Sequence, residues 1–487
     1  MKNKILFFLC VFSVGVIFTY PTFVSSHSLD SYCTIYNGYS QTAFWFLQNG
    51  RIFSTLIFYI FSLINLPFSS LSFVSSFLTS LALALAVCKL YYIFNDKLKL
   101  NTKIKKLTLL ASIFLIFYNF LSIELIAIDE SFIIYLGFYF IILCADKINI
   151  GGMKNYLLSL LYMIISVSCY QGIACFLFPI LILMIILDKE NGTKEIIKKI
   201  LISFIIYGLS FVFTLIIIKL VSLISKKTIS KLGNINIISN IVTIFKDLLP
   251  QTFKTFYGFI NNKYYYLICI ILLGFILYQI IKEKEYKKSI LLTVLILSCI
   301  LSPYIPNLFM NTSSNYTAAR MTMTCAIVPS ILVIYILTYY NKNKYYTYFV
   351  FVIICLFGLF TFYLFRQNSM INLKRYKEDM TYINKVKSYI DYYNAKHKNK
   401  IKTVYFAKDT NSDYYYDFGN ANGVNIRLMA VDWSAKCAFS AYLGKEYKFI
   451  PMKNEDYNKY FKGKDYKEFN EKKQIIVKNN NMYLLIY

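Results

Sequence analysis

The sequence predicts a polytopic α-helical membrane protein with about eleven transmembrane helices, ending in a small C-terminal extracytoplasmic α/β domain. Three observations support this. The 487 residues are 57% hydrophobic, with a mean hydropathy of +0.51, and many charge-free apolar runs precede residue 366. Runs of about 20 such residues are long enough to cross a bilayer, and they are continuous rather than alternating, which excludes a β-barrel. Second, lysines crowd the short gaps between the runs, the distribution that membrane topology produces. The formal charge of +27 is therefore read as loop charge, and nucleic acid is not an expected partner. Third, the pattern changes after residue 365, where charged and aromatic residues mix with short amphipathic segments.

In chain order, residues 5–26 form a first span behind Met1-Lys2-Asn3-Lys4. The segment resembles a signal peptide but lacks a small-residue cleavage site, so it is read as an uncleaved helix. Its lysines place the N-terminus in the cytoplasm and residues 27–51 outside. Residues 52–67 are apolar but short, ending at Asn65-Leu66-Pro67. The next loop carries Lys97, Lys99, Lys103, Lys105 and Lys106 and should be internal, so 71–94 is the second span and 52–67 a re-entrant or interfacial helix. Spans 107–126 and 131–146 meet at an external turn, Asp129-Glu130. The apolar stretch 156–187 is too long for one helix and is read as two short spans meeting at Tyr170-Gln171. Span 200–224 leads to an external loop, 225–266, with six lysines and one acid. Spans 267–281, 289–304, 321–340 and 347–365 complete the transmembrane domain, 1–365.

Residues 366–487 form the extracytoplasmic domain. Leu373, Tyr376, Met380, Ile383, Val386, Ile390 and Tyr393 recur at three- and four-residue steps, predicting an amphipathic helix over 371–397. Lys402 to Ala407 alternates like a strand, and 474–478 with 482–487 flank Asn479-Asn480-Asn481 as a hairpin. The eleven cysteines are scattered, mostly in apolar runs, without CxxC pairs. They are expected to be small core residues rather than a disulfide framework.

Acids at the external face are the informative set: Asp30 just past the first span, Glu124 at the end of the third, Asp129 and Glu130 in the turn. An ionised carboxylate beside hydrocarbon is costly, so such residues tend to face a cavity and serve a function. Solvated turn positions are the plainer account of Asp129 and Glu130. Arg51 and Arg320 sit at external span boundaries in a chain whose positive charge is almost all lysine. A guanidinium binds phosphate with paired donors; interfacial snorkelling is the plainer alternative. No GxGxxG, P-loop or HExxH is present, and His27 and His397 are isolated.

The order Asp30-Ser31-Tyr32, Asn37-Gly38-Tyr39, Phe46-Leu47 and Asn49-Gly50-Arg51 resembles the first external loop of the bacterial Gtr-type glucosyltransferases, which modify O-antigen and similar surface glycans. Asn119 through Glu124 and on to Asp129-Glu130-Ser131 is similar to that family's second motif. Tyr170-Gln171 looks like its Tyr-Gln pair, and Ala319-Arg320 like its late external arginine. The resemblance runs over about 1–365 and departs at Ser31, where many relatives carry a second acid. It implies a GT-C-like fold in the bacterial inner (plasma) membrane, working at the external face. The expected donor is a polyprenyl-phosphate-linked sugar, the acceptor a lipid-linked or surface glycan, and membrane lipid a further partner. On this reading Asp30, Glu124 and Asp129 are catalytic; Arg51, Tyr170, Gln171, Arg320 and Glu130 bind substrate. No cofactor is expected, with a divalent cation left open. Two competing readings are a flippase for a lipid-linked glycan, which should carry charges through mid-membrane, and a glycan polymerase, separable by product length.

Overall fold

A computed structural model describes residues 2–23, 29–126, 128–188, 192–225, 235–253, 263–311, 320–340, 343–408, 432–444, 446–464 and 469–486. His27, Ala319, residues 24–26 of the expected first span, and 226–234 and 254–262 of the expected external loop lie outside them.

Helix α1 (Lys2–Phe23) packs along α5 (Phe68–Leu98). Without a hydrophobic drive between helices in lipid, close packing and interhelical hydrogen bonds hold such pairs together. Here Thr19 bonds Ser80 at 2.9 Å and Thr22 bonds Ser76 at 2.9 Å. Between α1 and α5 lie three short helices, α2 (Leu29–Asn37), α3 (Tyr39–Gln48) and α4 (Ile52–Leu63). α4 has 12 residues, about 18 Å of helix, well short of the ~30 Å hydrocarbon thickness. It folds back on α3 through Tyr39, Phe46, Phe58 and Phe61, in keeping with an interfacial extension of the first loop.

The bundle continues with α6 (Lys103–Phe117), capped by the Thr102 hydroxyl, which accepts from the Lys105 amide. After a 3₁₀ turn capped by Asn119 come α7 (Ile123–Ile126) and α8 (Ser131–Ile150). α9 (Met153–Cys169) and α10 (Leu177–Leu187) are separated by extended Tyr170 and a 3₁₀ turn from Gln171, so the break falls where length and charge placed it. All eleven residues of α10 are buried. α11 (Thr193–Ser225) instead leaves Leu201, Phe204, Leu209, Val212 and Ile216 exposed; an apolar stripe of that length facing outward is a lipid-facing surface. Among the described residues, eight helices are long and apolar enough to cross a membrane, and four shorter apolar helices (Ile52–Leu63, Met153–Cys169, Gln171–Leu187 and Val328–Tyr339) accompany them.

The last long helix corrects an expectation. A membrane span and a separate amphipathic helix were anticipated on either side of residue 366; they are one continuous helix, Lys344–Lys396, of 53 residues, or about 80 Å. Its C-terminal half presents Tyr382, Ile383, Val386 and Ile390 to a four-stranded sheet. That sheet has the order β2–β1–β4–β3, with β1 Thr403–Lys408, β2 Lys448–Pro451, β3 Ile475–Lys478 and β4 Asn481–Ile486. β1 runs parallel to both its neighbours, and β3 and β4 form an antiparallel hairpin. The hairpin turn is made by Asn479 and Asn480, both at positive φ, as a two-residue I′-type connection requires.

The cysteine expectation also needs correcting. Nine cysteines are free, most of them buried. Cys33 of α2 and Cys437 of the helix Asp432–Leu443, however, form a disulfide with Cα atoms 4.9 Å apart. No spacing rule could connect them, because 404 residues separate them in sequence.

Candidate active site

Three backbone features bring the polar residues of the sequence motifs together. The first is the α3–α4 corner. Gly50 has φ +72, and a Cβ there would lie 2.5 Å from the Thr214 methyl of α11, so only glycine lets the turn pack so closely. That corner projects Arg51 into the bundle. The second is the α7–α8 turn, seated on α5 because the Ser75 hydroxyl donates to the Asp129 carbonyl at 2.7 Å and contacts Ser131 at 3.1 Å. The third is the α9–α10 break, where the extended backbone of Tyr170 releases both its ring and Gln171 from helical packing.

Two ion pairs result. Glu124 uses both carboxylate oxygens on one partner: Arg320 donates from Nη1 to Oε1 at 2.5 Å and from its backbone N–H to Oε2 at 2.8 Å. The Arg320 Nε also donates to the Tyr170 hydroxyl at 2.8 Å. Arg51 donates from Nη1 to Glu130 Oε1 at 3.4 Å and from Nε to Gln171 Oε1 at 3.3 Å. Gln171 in turn donates to the Asn49 carbonyl at 2.7 Å. The Arg51 guanidinium lies 4.6 Å from the Tyr170 ring centroid, so Tyr170 touches one arginine with its face and the other with its hydroxyl. The side chains of Glu124 and Glu130 are only 5% and 8% exposed, so these pairs sit largely out of water, where breaking one is far costlier than at a surface.

Asp129 is buried beside them and has an Oδ2 without a hydrogen-bond partner among the described residues. Burial pushes its carboxyl up to about 7; the Ser31 hydroxyl bond opposes this, while Glu130 and Asp30 add to it. Burial likewise raises the Glu130 carboxyl, against the pull of Arg51. Asp30, on the first turn of α2, is partly exposed. It lies within electrostatic reach of Asp129, Glu130 and Arg320.

The eight expected site residues therefore gather in one region. Ser31 bonds Asp129, so this position supplies a donor to a site already rich in carboxylates. Sequence reasoning missed that contact, the Asn49 carbonyl and the Cys33 bridge. Trp45 adds an exposed ring 5.7 Å from the Arg51 guanidinium. The lysines of 225–266 include Lys246, on a segment that packs against 302–310 through Asn240 and Thr252. Among the described residues no cluster of three or more His, Cys, Asp or Glu is arranged to hold a metal ion.

A family model described as glucosyl transferase GtrII matches residues 20–331. The chain belongs to this family. All eight site residues fall inside the matched segment, and the C-terminal sheet domain falls outside it. No curated protein and no solved structure matches the chain. Membership makes the protein a glucosyltransferase of surface-glycan modification, and its long apolar helices make it a membrane protein.

Proposed function

We propose that this transferase moves a glucosyl unit from a polyprenyl-phosphate carrier to a surface glycan such as O-antigen, at the external face of the bacterial inner membrane. The observation that supports this most directly is the meeting of four carboxylates and two arginines at one end of the apolar bundle. A donor with a polyprenyl tail keeps its tail in lipid and its phosphate at the interface, so its reactive carbon belongs at that level. The Cys33–Cys437 disulfide supports an external placement of the loop and the C-terminal domain, since such bonds persist in oxidising compartments.

In this reading Asp30 is the general base, being the one carboxylate of the four that is partly exposed, where Glu124, Asp129 and Glu130 are buried. It accepts the proton of the acceptor hydroxyl as that oxygen attacks the anomeric carbon. The bond from that carbon to the phosphate oxygen breaks, and the electron pair leaves with polyprenyl phosphate. Proton transfer by a positioned carboxylate contributes about 10²–10⁴-fold. Arg51 and Arg320 face the departing phosphate with their remaining N–H groups, a geometry suited to phosphate oxygens. Glu124 and Glu130 orient the two guanidinium groups. Asp129, Tyr170 and Gln171 fix the surrounding backbone and offer contacts to sugar hydroxyls, and Trp45 offers a ring face. No divalent cation is needed for this scheme.

The deciding experiment is mass spectrometry of surface glycans from cells with and without the gene. The expected result is the loss of one hexose per modified repeat in its absence. Loss of long chains instead would replace this reading with a polymerase, and unchanged glycans with lipid-linked hexose held inside would replace it with a flippase.

A further inference from the structure

Four consecutive residues of α2 are held from two sides, the first two by the membrane domain and the next two by the C-terminal domain. A helix turns about 100° per residue, so Asp30, Ser31, Tyr32 and Cys33 sweep its whole circumference. Asp30 is in electrostatic reach of Arg320 and the buried carboxylates. Ser31 bonds Asp129 in the membrane domain. Tyr32 is fully buried in the core of the C-terminal domain with Tyr382, Ile383 and Ala435. Its ring meets Tyr442 edge-on at 6.0 Å, and Asp379 and Arg375 lie in range of its phenol. Cys33 is covalently bound to Cys437.

We propose that the C-terminal domain is a positioning device for Asp30, and that the Cys33–Cys437 bridge together with the Tyr32 socket sets the rotation of α2 so that transfer depends on the oxidised bridge. The proposal rests on Asp30 being the base. Nine residues are too few for a helix to be stable alone, and α2 ends at Gly38 with φ +84, so α2 takes its orientation from what grips it. A roll of about 20° moves a carboxylate ~5 Å from the helix axis by about 2 Å. Misplacement of ~1 Å can cost about 100-fold in rate. The gripping domain lies outside the family-matched segment, so it is an addition to the common machinery. Tyr32, Arg375, Asp379, Cys33 and Cys437 are positioning residues that act through the placement of Asp30.

The test uses the full-length oxidised protein in detergent with a polyprenyl-phosphate glucose donor. Dithiothreitol delivers two electrons and two protons to the bridge, giving two thiols, and is itself oxidised to its cyclic disulfide. Reduction is expected to lower kcat by about tenfold or more, with donor KM changed by less than about twofold. Hydrogen exchange should quicken over 29–37 and stay unchanged in α8. The double variant Cys33→Ser/Cys437→Ser should be slow and blind to dithiothreitol, and Tyr32→Phe, which keeps the ring, should retain most of the rate that Tyr32→Ala loses. Unchanged kcat and unchanged exchange over 29–37 after complete reduction would overturn the proposal. So would a parallel loss of donor binding and of α8 protection, which would mean that the bridge merely holds the fold. If the oxidised parent transfers no glucose, the functional reading fails, and exchange over 29–37 still decides whether the bridge positions α2.

Discussion

Two polar clusters sit at opposite ends of the same bundle, and they are built differently. Ser75 and Lys97 lie on one helix, α5, 22 residues and about 33 Å apart. At the Ser75 end is the Glu124–Arg320 and Arg51–Glu130 cluster. At the Lys97 end, Lys97 bonds Asp188 at 2.7 Å, Asn149 donates to the same carboxylate, and Lys199 donates to Asn149 at 3.2 Å. The carboxylate there is a third exposed, so water screens it and each pair contributes little. At the first end the carboxylates of Glu124 and Glu130 are buried, acids outnumber arginines, and Asp129 holds its proton to about pH 7. A cluster that serves only to tie helices together would not add to its ion pairs a buried carboxylate that is costly to ionise. Perturbed carboxylates of this kind are a feature of functional sites.

This contrast can be broken by paired substitutions. The largest effect belongs to Glu124→Gln, which leaves the largely buried Arg320 guanidinium without its anion. It should cost about 3–5 kcal/mol of stability and most of the transfer rate, read by thermal unfolding in detergent and by glucose transfer. The double change Glu124→Gln/Arg320→Gln should recover part of the stability and none of the rate. If Asp188→Asn at the other end costs as much as Glu124→Gln, the two clusters are equivalent and the contrast is lost.

Next in size is Arg51→Lys. An ammonium cannot bond Glu130 and Gln171 from one plane while lying on the Tyr170 ring. Donor KM should rise about tenfold, roughly 1.4 kcal/mol, with kcat reduced less. An unchanged KM would remove Arg51 from donor binding.

Asp129→Asn should be smaller and dependent on pH. The folded carboxyl titrates near 7, far above an ordinary aspartate, so between about pH 4 and 7 the folded state keeps a proton that the unfolded chain has released. Stability therefore falls as pH rises through that window. The variant, with no proton to lose, should melt a few degrees higher than the parent at pH 8 and equally at pH 4. A parent-to-variant difference in Tm that stays constant from pH 4 to 8 would show that Asp129 ionises like an ordinary aspartate.

The smallest effect is expected from Lys97→Ala, within about 1 kcal/mol and without change in rate. A loss of transfer there would mean that the second cluster has a role beyond tying helices.

Much of the bundle was legible because hydropathy and lysine placement report directly on length and environment. The break at Tyr170-Gln171 and the short 52–67 helix follow from segment length together with lysine placement, and the hairpin around Asn479-Asn480 follows from turn chemistry. The single helix Lys344–Lys396 was hidden because its composition changes where its surroundings change from apolar to polar, while its backbone does not. The acids and arginines of the site were visible individually. Their pairing was not: Glu124 and Arg320 are 196 residues apart, and the bridge from Cys33 spans 404. Local periodicity carries no information about such contacts. Ser31 read as a missing acid because its partner, Asp129, lies on a different turn.

The central claim is that Asp30, held on a short helix between two domains, is the base that activates the acceptor. Its most direct test is the transfer rate of purified Asp30→Asn, with exchange protection of α2 and α8 followed in parallel. The account predicts a fall in kcat of about 10²–10⁴-fold with donor KM and protection unchanged. A rate equal to that of the parent would contradict it.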